Sequence, residues 1–264
     1  MTWLGFIGTG NMGSAMIHGI MKDPKDFKVA TYDVEPSKMV ALGYEGIRVA
    51  DSIKEICETT KYIILAVKPE YYLDVFRHLK KNLKPEHVIV TIAPGFSIAK
   101  TKESLGNAVR VVRAMPNTPA LVGEGMTAYC YEKEDITPAE NTTLQQFFAS
   151  FGQWMEIKEC NMEAIIATSG SSPAYAYLFI EAMADAAVSF GIDRGDAYVL
   201  AAQSLKGAAT MVLQTKEHPA KLKDAVCSPG GTTIQAVVKL EETQFRNSII
   251  KAMTACFEKA HSMN

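Results

Sequence analysis

The chain has 264 residues, 48% of them hydrophobic and 21% charged, with a formal net charge of -2. That is the composition of an ordinary globular protein with a substantial core, arranged as one large or two modest domains. With no basic block and no polybasic helix, it lacks the electrostatic footprint of a nucleic-acid or membrane-surface binder.

The first element is a short apolar strand at 3–8, entered almost at once, so no signal or transit peptide is expected ahead of the fold. It leads into Gly8-Thr9-Gly10-Asn11-Met12-Gly13, and a helical pattern at 12–22 follows. This is a G-x-G-x-x-G in the setting that gives it meaning, strand before and helix after. Gly8 allows a tight turn, Gly10 lets backbone approach a pyrophosphate, and Gly13 lets helix pack close to strand. A second strand at 28–33 ends on Asp33, about where a dinucleotide fold places an acid for the adenosine ribose. Thr9, Asn11 and Met12 complete the expected phosphate loop.

Further strands are expected at 62–67, 88–92, 110–114 and 126–131, with one more at 153–158. Helices are expected at 36–43, 52–58, 71–82, 97–103 and 138–150. Strands alternating with helices imply parallel pairing and a doubly wound sheet. Ligands of such sheets lie outside the carboxyl ends of the strands. Three strand ends therefore become candidate cofactor walls. Ala66-Val67-Lys68-Pro69 stops the third strand, with Lys68 in reach of a ribose or phosphate. Ala93-Pro94-Gly95 stops the next and leaves room for a flat ring such as nicotinamide. Arg113 to Pro119 stops another; its two prolines freeze the backbone around Asn117, which is expected to face the cofactor.

From about Asn161 the rhythm changes to long helical patterns at 161–190, 194–215, 232–240 and 243–262. The first is interrupted at Gly170-Ser171-Ser172-Pro173, where Pro173 kinks or restarts the helix. The domain boundary is placed at 158/159, giving a dinucleotide-binding domain over 1–158 and a helical domain over 159–264. The alanine-rich stretch from Ala174 to Ala187 favours close helix packing against a second copy of the chain. Glu181 and Asp185 interrupt it, so it is not read as a membrane span. Cys227-Ser228-Pro229-Gly230-Gly231-Thr232-Thr233 then breaks one helix and opens another, with Thr232 and Thr233 expected to cap it. Two glycines and a helix N-terminus make this a candidate site for a small carboxylate. Ser228, Gly230, Gly231, Thr232 and Thr233 are its candidate residues.

The five cysteines are odd in number and contain no C-x-x-C, which fits a reduced cytoplasmic compartment. The five histidines are scattered without metal-ligand spacing, and no metal is expected.

These motifs, with Ser169-Gly170-Ser171-Ser172-Pro173-Ala174-Tyr175 and the run from His218 to Thr233, resemble the pyrroline-5-carboxylate reductase family over nearly the whole chain. The resemblance implies an N-terminal Rossmann domain and an all-helical C-terminal dimerisation domain, with dimers that often build decamers. It implies hydride transfer from NADPH or NADH to the C=N carbon of 1-pyrroline-5-carboxylate, giving L-proline as the last step of proline biosynthesis. Thr233 matches the threonine that the family places near the ring nitrogen, and is the candidate catalytic residue. Asp33 and Ile53 depart from the family's NADPH habit: the acid suits a free ribose 2′-hydroxyl and Ile53 replaces a common Asn, with Ser37 and Lys38 as the residues that would compensate. Two alternatives stay open: a β-hydroxyacid-dehydrogenase-like oxidoreductase, for which Lys206 lacks the motif, and a non-catalytic dinucleotide-sensing protein.

Overall fold

The computed structural model describes residues 1–24, 26–40, 42 and 46–263. Eight strands form one sheet: β1 (Thr2–Ile7), β2 (Phe27–Tyr32), β3 (Arg48–Val49), β4 (Tyr62–Leu65), β5 (Val88–Thr91), β6 (Arg110–Met115), β7 (Gly125–Tyr131) and β8 (Gly152–Glu156). Their order is β3-β2-β1-β4-β5-β6-β7-β8. Helices α1 (Asn11–Lys22), α2 (Pro36–Val40), α3 (Ile53–Thr59), α4 (Tyr72–Leu79), α5 (Ile98–Leu105) and α6 (Pro138–Ala149) connect them. The helix expected at 36–43 is described as far as Val40; positions 41 and 43 lie outside the described residues.

The apolar runs of the central strands are continuous because both faces of the sheet are covered. Leu4, Phe6, Val29, Ile64 and Val90 point to one face, against Met16, Ile17 and Ile20 of α1 and Phe147 and Phe148 of α6. Ile7, Ala30, Ile63, Leu65 and Ile89 point to the other, against Ile56 of α3 and Phe76 and Leu79 of α4. The period-2 alternation along each strand sorts them.

Pairing is parallel from β3 through β6, as the alternation implies. β7 departs from that expectation: it runs antiparallel to β6. The connection Pro116–Glu124 is too short for a parallel crossover, which takes about a dozen residues or more. It instead holds a 3₁₀ turn, Thr118–Val122, closed by Gly123 in the left-handed region at φ 82°. β8 then adds parallel to β7. β3 was not expected; its two exposed residues carry no apolar alternation.

The helical half holds α7 (Met162–Ile165), a π-turn at Ile166–Gly170, α8 (Ser172–Ser189), α9 (Arg194–Thr215), α10 (Pro219–Ala225), α11 (Thr232–Glu242) and α12 (Phe245–His261). By packing, Ser172–Ala255 is one compact unit, and Met1–Ser171 with the stretch from Cys256 is the other. The cause is a buried ion cluster. Arg113 on β6, 2% exposed, reaches Glu159 at 3.3 Å and Glu163 at 3.1 Å, and Glu159 also accepts from the Ile98 backbone N–H. Met162, Ile166 and Ala260 join Ile98, Val111 and Met115 in one apolar cluster. Residues 159–171 and the end of α12 are thereby fastened to the sheet.

The Ser172–Ala255 unit leaves its apolar side chains uncovered. α8 buries only Ala184, and α9 only Ala197 and Ala201. Leu178, Val199, Leu213 and Ile250 are each more than half exposed.

At the start of α6, Thr137 and Glu140 form a reciprocal capping box. Glu140 is buried, and its carboxylate also pairs with Arg110 and, at 2.6 Å, with Lys61. Burial raises its pKa, but the hydrogen bonds from Arg110, Lys61 and Thr137 outweigh it and hold the carboxyl down at about 2, against 4.5 when free. A lowered folded pKa gives stability that is present above the unfolded value and lost as pH falls through the folded one. Unfolding free energy should therefore drop between about pH 4.5 and pH 2. Glu140→Gln should cost roughly 1.5–3 kcal/mol near neutral pH and flatten that drop in denaturant titrations at several pH values; an unchanged acid limb would remove Glu140 from the account.

Candidate active site

The sheet order reverses direction between β1 and β4, and the crevice of a doubly wound sheet opens at such a point. The glycine loop fills it from below. Gly8 has φ 99°, and a Cβ there would stand 2.7 Å from the Ala66 carbonyl. A Cβ on Gly13 would strike the Gly8 carbonyl oxygen. Both glycines are required by close approach. Gly10 differs: a Cβ on it meets nothing within 4 Å, so the space above it is open. Gly10 is also the N-cap of α1, with no side chain capping the helix. The first-turn N–H groups thus face the opening, as an anion site requires.

Two cavities lie along this crevice. One, of about 450 Å³, is lined by Gly10, Asn11, Met12, Ala66, Val67, Lys68, Pro69, Ala93 and Pro94, together with Lys38, Ile92 and Pro116. The other, of about 280 Å³, is lined by Gly8, Asp33, Val67 and Ile53 and by Tyr71, Asp74 and His78, three further residues not foreseen. Val67 belongs to both. An open N-terminus between an apolar ring-sized space and a pocket holding an acid fits a dinucleotide: pyrophosphate over Gly10, adenosine beside Asp33, nicotinamide towards Ala93 and Pro94.

Four of the expected cofactor residues support the walls and do not form them. Thr9 is buried, and its N–H and hydroxyl both donate to Asp33 Oδ2, at 2.7 and 3.0 Å. Gly13 packs beneath the loop. Gly95, at φ 78°, lets the Met263 carbonyl approach, where a Cβ would stand 2.8 Å away. Asn117 donates through Nδ2 to the Ser169 carbonyl at 3.0 Å and accepts the Met126 N–H at 2.8 Å. It ties the strand end to the π-turn, where the Ser169 carbonyl has no helical N–H to accept because the residue four positions on is Pro173.

Tyr72 was also missed. Its buried hydroxyl donates to the Leu65 carbonyl at 2.8 Å and accepts from the Ala93 and Ile92 N–H groups at 3.2 and 3.3 Å. Burial pushes its phenol up to about 12, so it stays a neutral donor. It clamps two strand ends at the spacing the cleft needs. The signal in sequence is slight: a polar-tipped aromatic on the apolar stripe of the helix after Lys68-Pro69.

The carboxylate candidate lies in the second unit, in the loop between α10 and α11. Gly230 is left-handed at φ 68°, and a Cβ there would meet nothing within 4 Å. Gly231 donates its N–H to the Ser228 carbonyl at 3.0 Å. Gly231, and not a threonine, is the N-cap of α11, and no side chain caps the helix. Thr232 and Thr233 are its first two residues and are exposed, as are Ser228 and Gly230. A bonded cap hydroxyl would have filled the N-terminus; a glycine cap leaves it open to an anion. Among the described residues no group of His, Cys, Asp and Glu could hold a metal, and no helix is long and apolar enough to cross a membrane.

Gly10→Val should keep the fold, since Gly10 already has an ordinary φ of -68° and free space around it. It should weaken NADH and NADPH binding roughly a hundredfold by occupying the pyrophosphate position. Thermal melting and fluorescence titration check both halves; undiminished affinity in the folded variant would move the dinucleotide elsewhere.

Comparison with known proteins agrees with this geometry. The family model for pyrroline-5-carboxylate reductase dimerisation matches residues 159–263, and that for NADP oxidoreductase, coenzyme F420-dependent, matches 3–95. The chain is 42% identical to the pyrroline-5-carboxylate reductase of Escherichia coli K12, over 99% of this chain and 98% of that one. It is 37% identical to that of Methanosarcina acetivorans, over 98% and 97%. The crystal structure of the Plasmodium falciparum pyrroline carboxylate reductase with NADP bound superposes with a TM-score of 0.89 at 34% identity, covering 99% of this chain and 98% of that one. A 3-hydroxyisobutyrate dehydrogenase of Mycobacterium tuberculosis, at 15% identity and a TM-score of 0.52, covering 80% of this chain and 70% of that one, shares the fold alone. With glycine loop, strand ends and Gly230-Gly231 helix start all in place, the chain belongs to the pyrroline-5-carboxylate reductase family.

Proposed function

We propose that this chain reduces the C=N bond of 1-pyrroline-5-carboxylate to L-proline with NADH or NADPH, in the last step of proline biosynthesis. The observation that carries the reading is the uncapped, glycine-opened start of α11 in a chain that also has a full dinucleotide cleft. A dinucleotide sensor needs the second feature and has no use for the first. A β-hydroxyacid dehydrogenase would need a catalytic lysine in the helical half, and Lys206 is an exposed residue of α9 without that motif.

A reduced nicotinamide held in the cleft would supply the hydride. The chain supplies position and field. The backbone N–H groups at Thr232 and Thr233 hold the substrate carboxylate against the positive end of α11. Ala93 and Pro94 leave the nicotinamide ring room, and apolar walls at Ile92, Met12 and Val67 keep water from it. A protonated cyclic imine takes hydride at its C=N carbon and keeps its own proton on nitrogen, so no strong acid is required. Thr233 Oγ1 orients that nitrogen. Alignment and electrostatics then account for the acceleration.

The uncovered apolar side chains of α8 and α9 are the dimer surface, and further assembly to a decamer builds on that dimer. The chain works in the reduced cytoplasm, consistent with five cysteines of which none is paired.

Thr233→Ala should lower kcat/KM for 1-pyrroline-5-carboxylate about tenfold or more, a loss of about 1.4 kcal/mol of transition-state stabilisation, with cofactor affinity within about twofold. Steady-state kinetics and cofactor titration separate the two; a loss confined to cofactor affinity would give the loop the wrong ligand. Leu178→Glu should turn the dimer into a monomer by light scattering, because Leu178 is 67% exposed on a helix with a single buried residue. An unchanged dimer would move the interface off α8.

A further inference from the structure

We propose that this chain selects NADH over NADPH, and that Asp33 is the residue that sets the choice. The inference rests on the site being a reductase's dinucleotide cleft and goes further, to which dinucleotide the cleft accepts.

Asp33 follows the last residue of β2 and lines the adenosine-side cavity. Its carboxylate is fixed by donors that are all neutral. Oδ2 takes the Thr9 N–H and hydroxyl, and Oδ1 takes the Glu35 N–H at 3.0 Å. A carboxylate has about four acceptor positions, so one is left, on Oδ1. That position suits a hydroxyl, which donates a proton. A 2′-phosphate offers close to two negative charges and little to donate, and a carboxylate within a few ångströms repels it.

Nothing in the cavity answers such a phosphate. Its described lining contains a second carboxylate, Asp74, the apolar Ile53, the imidazole of His78, and no lysine or arginine. Three cations each have an anionic partner, Lys38 with Glu35 at 2.6 Å, Arg77 with Asp74 at 2.6 Å, and Arg48 with Glu55 at 2.5 Å, and Lys68 lines the adjoining cavity. A 2′-phosphate would have to break one of these pairs and still face Asp33. Asp33 cannot easily turn away, because its bonds to Thr9 hold the phosphate loop in shape. The acid that shapes the loop is thus the acid that reads the ribose.

The test is a fluorescence titration of NADH and NADPH into the wild-type protein, Asp33→Asn and Asp33→Ser, at one ionic strength and without imine substrate. Asn keeps the shape and an acceptor for Thr9 while removing the charge; Ser also clears space. Melting curves confirm that each variant is folded. Wild type should bind NADH roughly tenfold or more tightly than NADPH. Both variants should narrow that ratio at least tenfold, mainly by tightening NADPH, and kcat/KM for the two cofactors should follow. Wild type binding NADPH as tightly as NADH, or a ratio unchanged in both variants, would overturn the proposal. Because the titration contains no imine, NADH selectivity without proline formation would instead count against the reductase reading.

Discussion

The structure depends on how closely the turn after β1 approaches the strand beside it. Gly8 lies against the Ala66 backbone, and Gly13 lies against the Gly8 carbonyl, at distances no Cβ would allow. That approach brings the N-terminus of α1 over the point where strand order reverses, and so fixes where a phosphate can bind. The other walls are set from it. β4 ends beside the loop at Ala66, and Tyr72 then ties the Leu65 carbonyl to the N–H groups of Ile92 and Ala93. One buried hydroxyl carries the placement of the loop outward to the next strand end. A steric constraint at two glycines thereby becomes a cleft of defined width.

The two compact units solve different problems. The sheet unit is closed at its centre: the central strands are covered on both faces, and its buried charges, Arg113 and Glu140, are paired. The helical unit is open. Its helices are rich in alanine, which permits close packing but buries little area per residue, and its large side chains remain exposed. A helix such as α8, apolar nearly all round with one buried residue, is stable only when another surface covers it. Self-association is therefore part of the fold of this half.

Much of this was legible in the sequence where local physics decides. The strand, glycine loop and helix at the N-terminus follow from spacing alone, and so does the glycine-opened start of α11. The direction of β7 was not legible, because an alternating strand has the same pattern whichever way it runs; the length of the turn at Pro116–Glu124 decided it. The packing boundary at Ser171 was hidden because Arg113 and its partners lie 46 and 50 residues apart. Gly95 and Asn117 look like ligand residues from their place at strand ends. Their neighbours in the structure, Met263 and Ser169, are distant in sequence, so these contacts were not legible in it. Thr9 and Asp33 were each legible, but not the bonds that make them one unit.

The central claim is that the dinucleotide cleft serves hydride transfer to the imine carbon of 1-pyrroline-5-carboxylate. The most direct measurement supplies that imine with a reduced nicotinamide cofactor carrying two deuterium atoms at C4, and examines the product by mass spectrometry and NMR. The account predicts proline with a single deuterium, at the ring carbon that had been double-bonded to nitrogen. Absence of proline, or proline with no deuterium at that carbon, would contradict it.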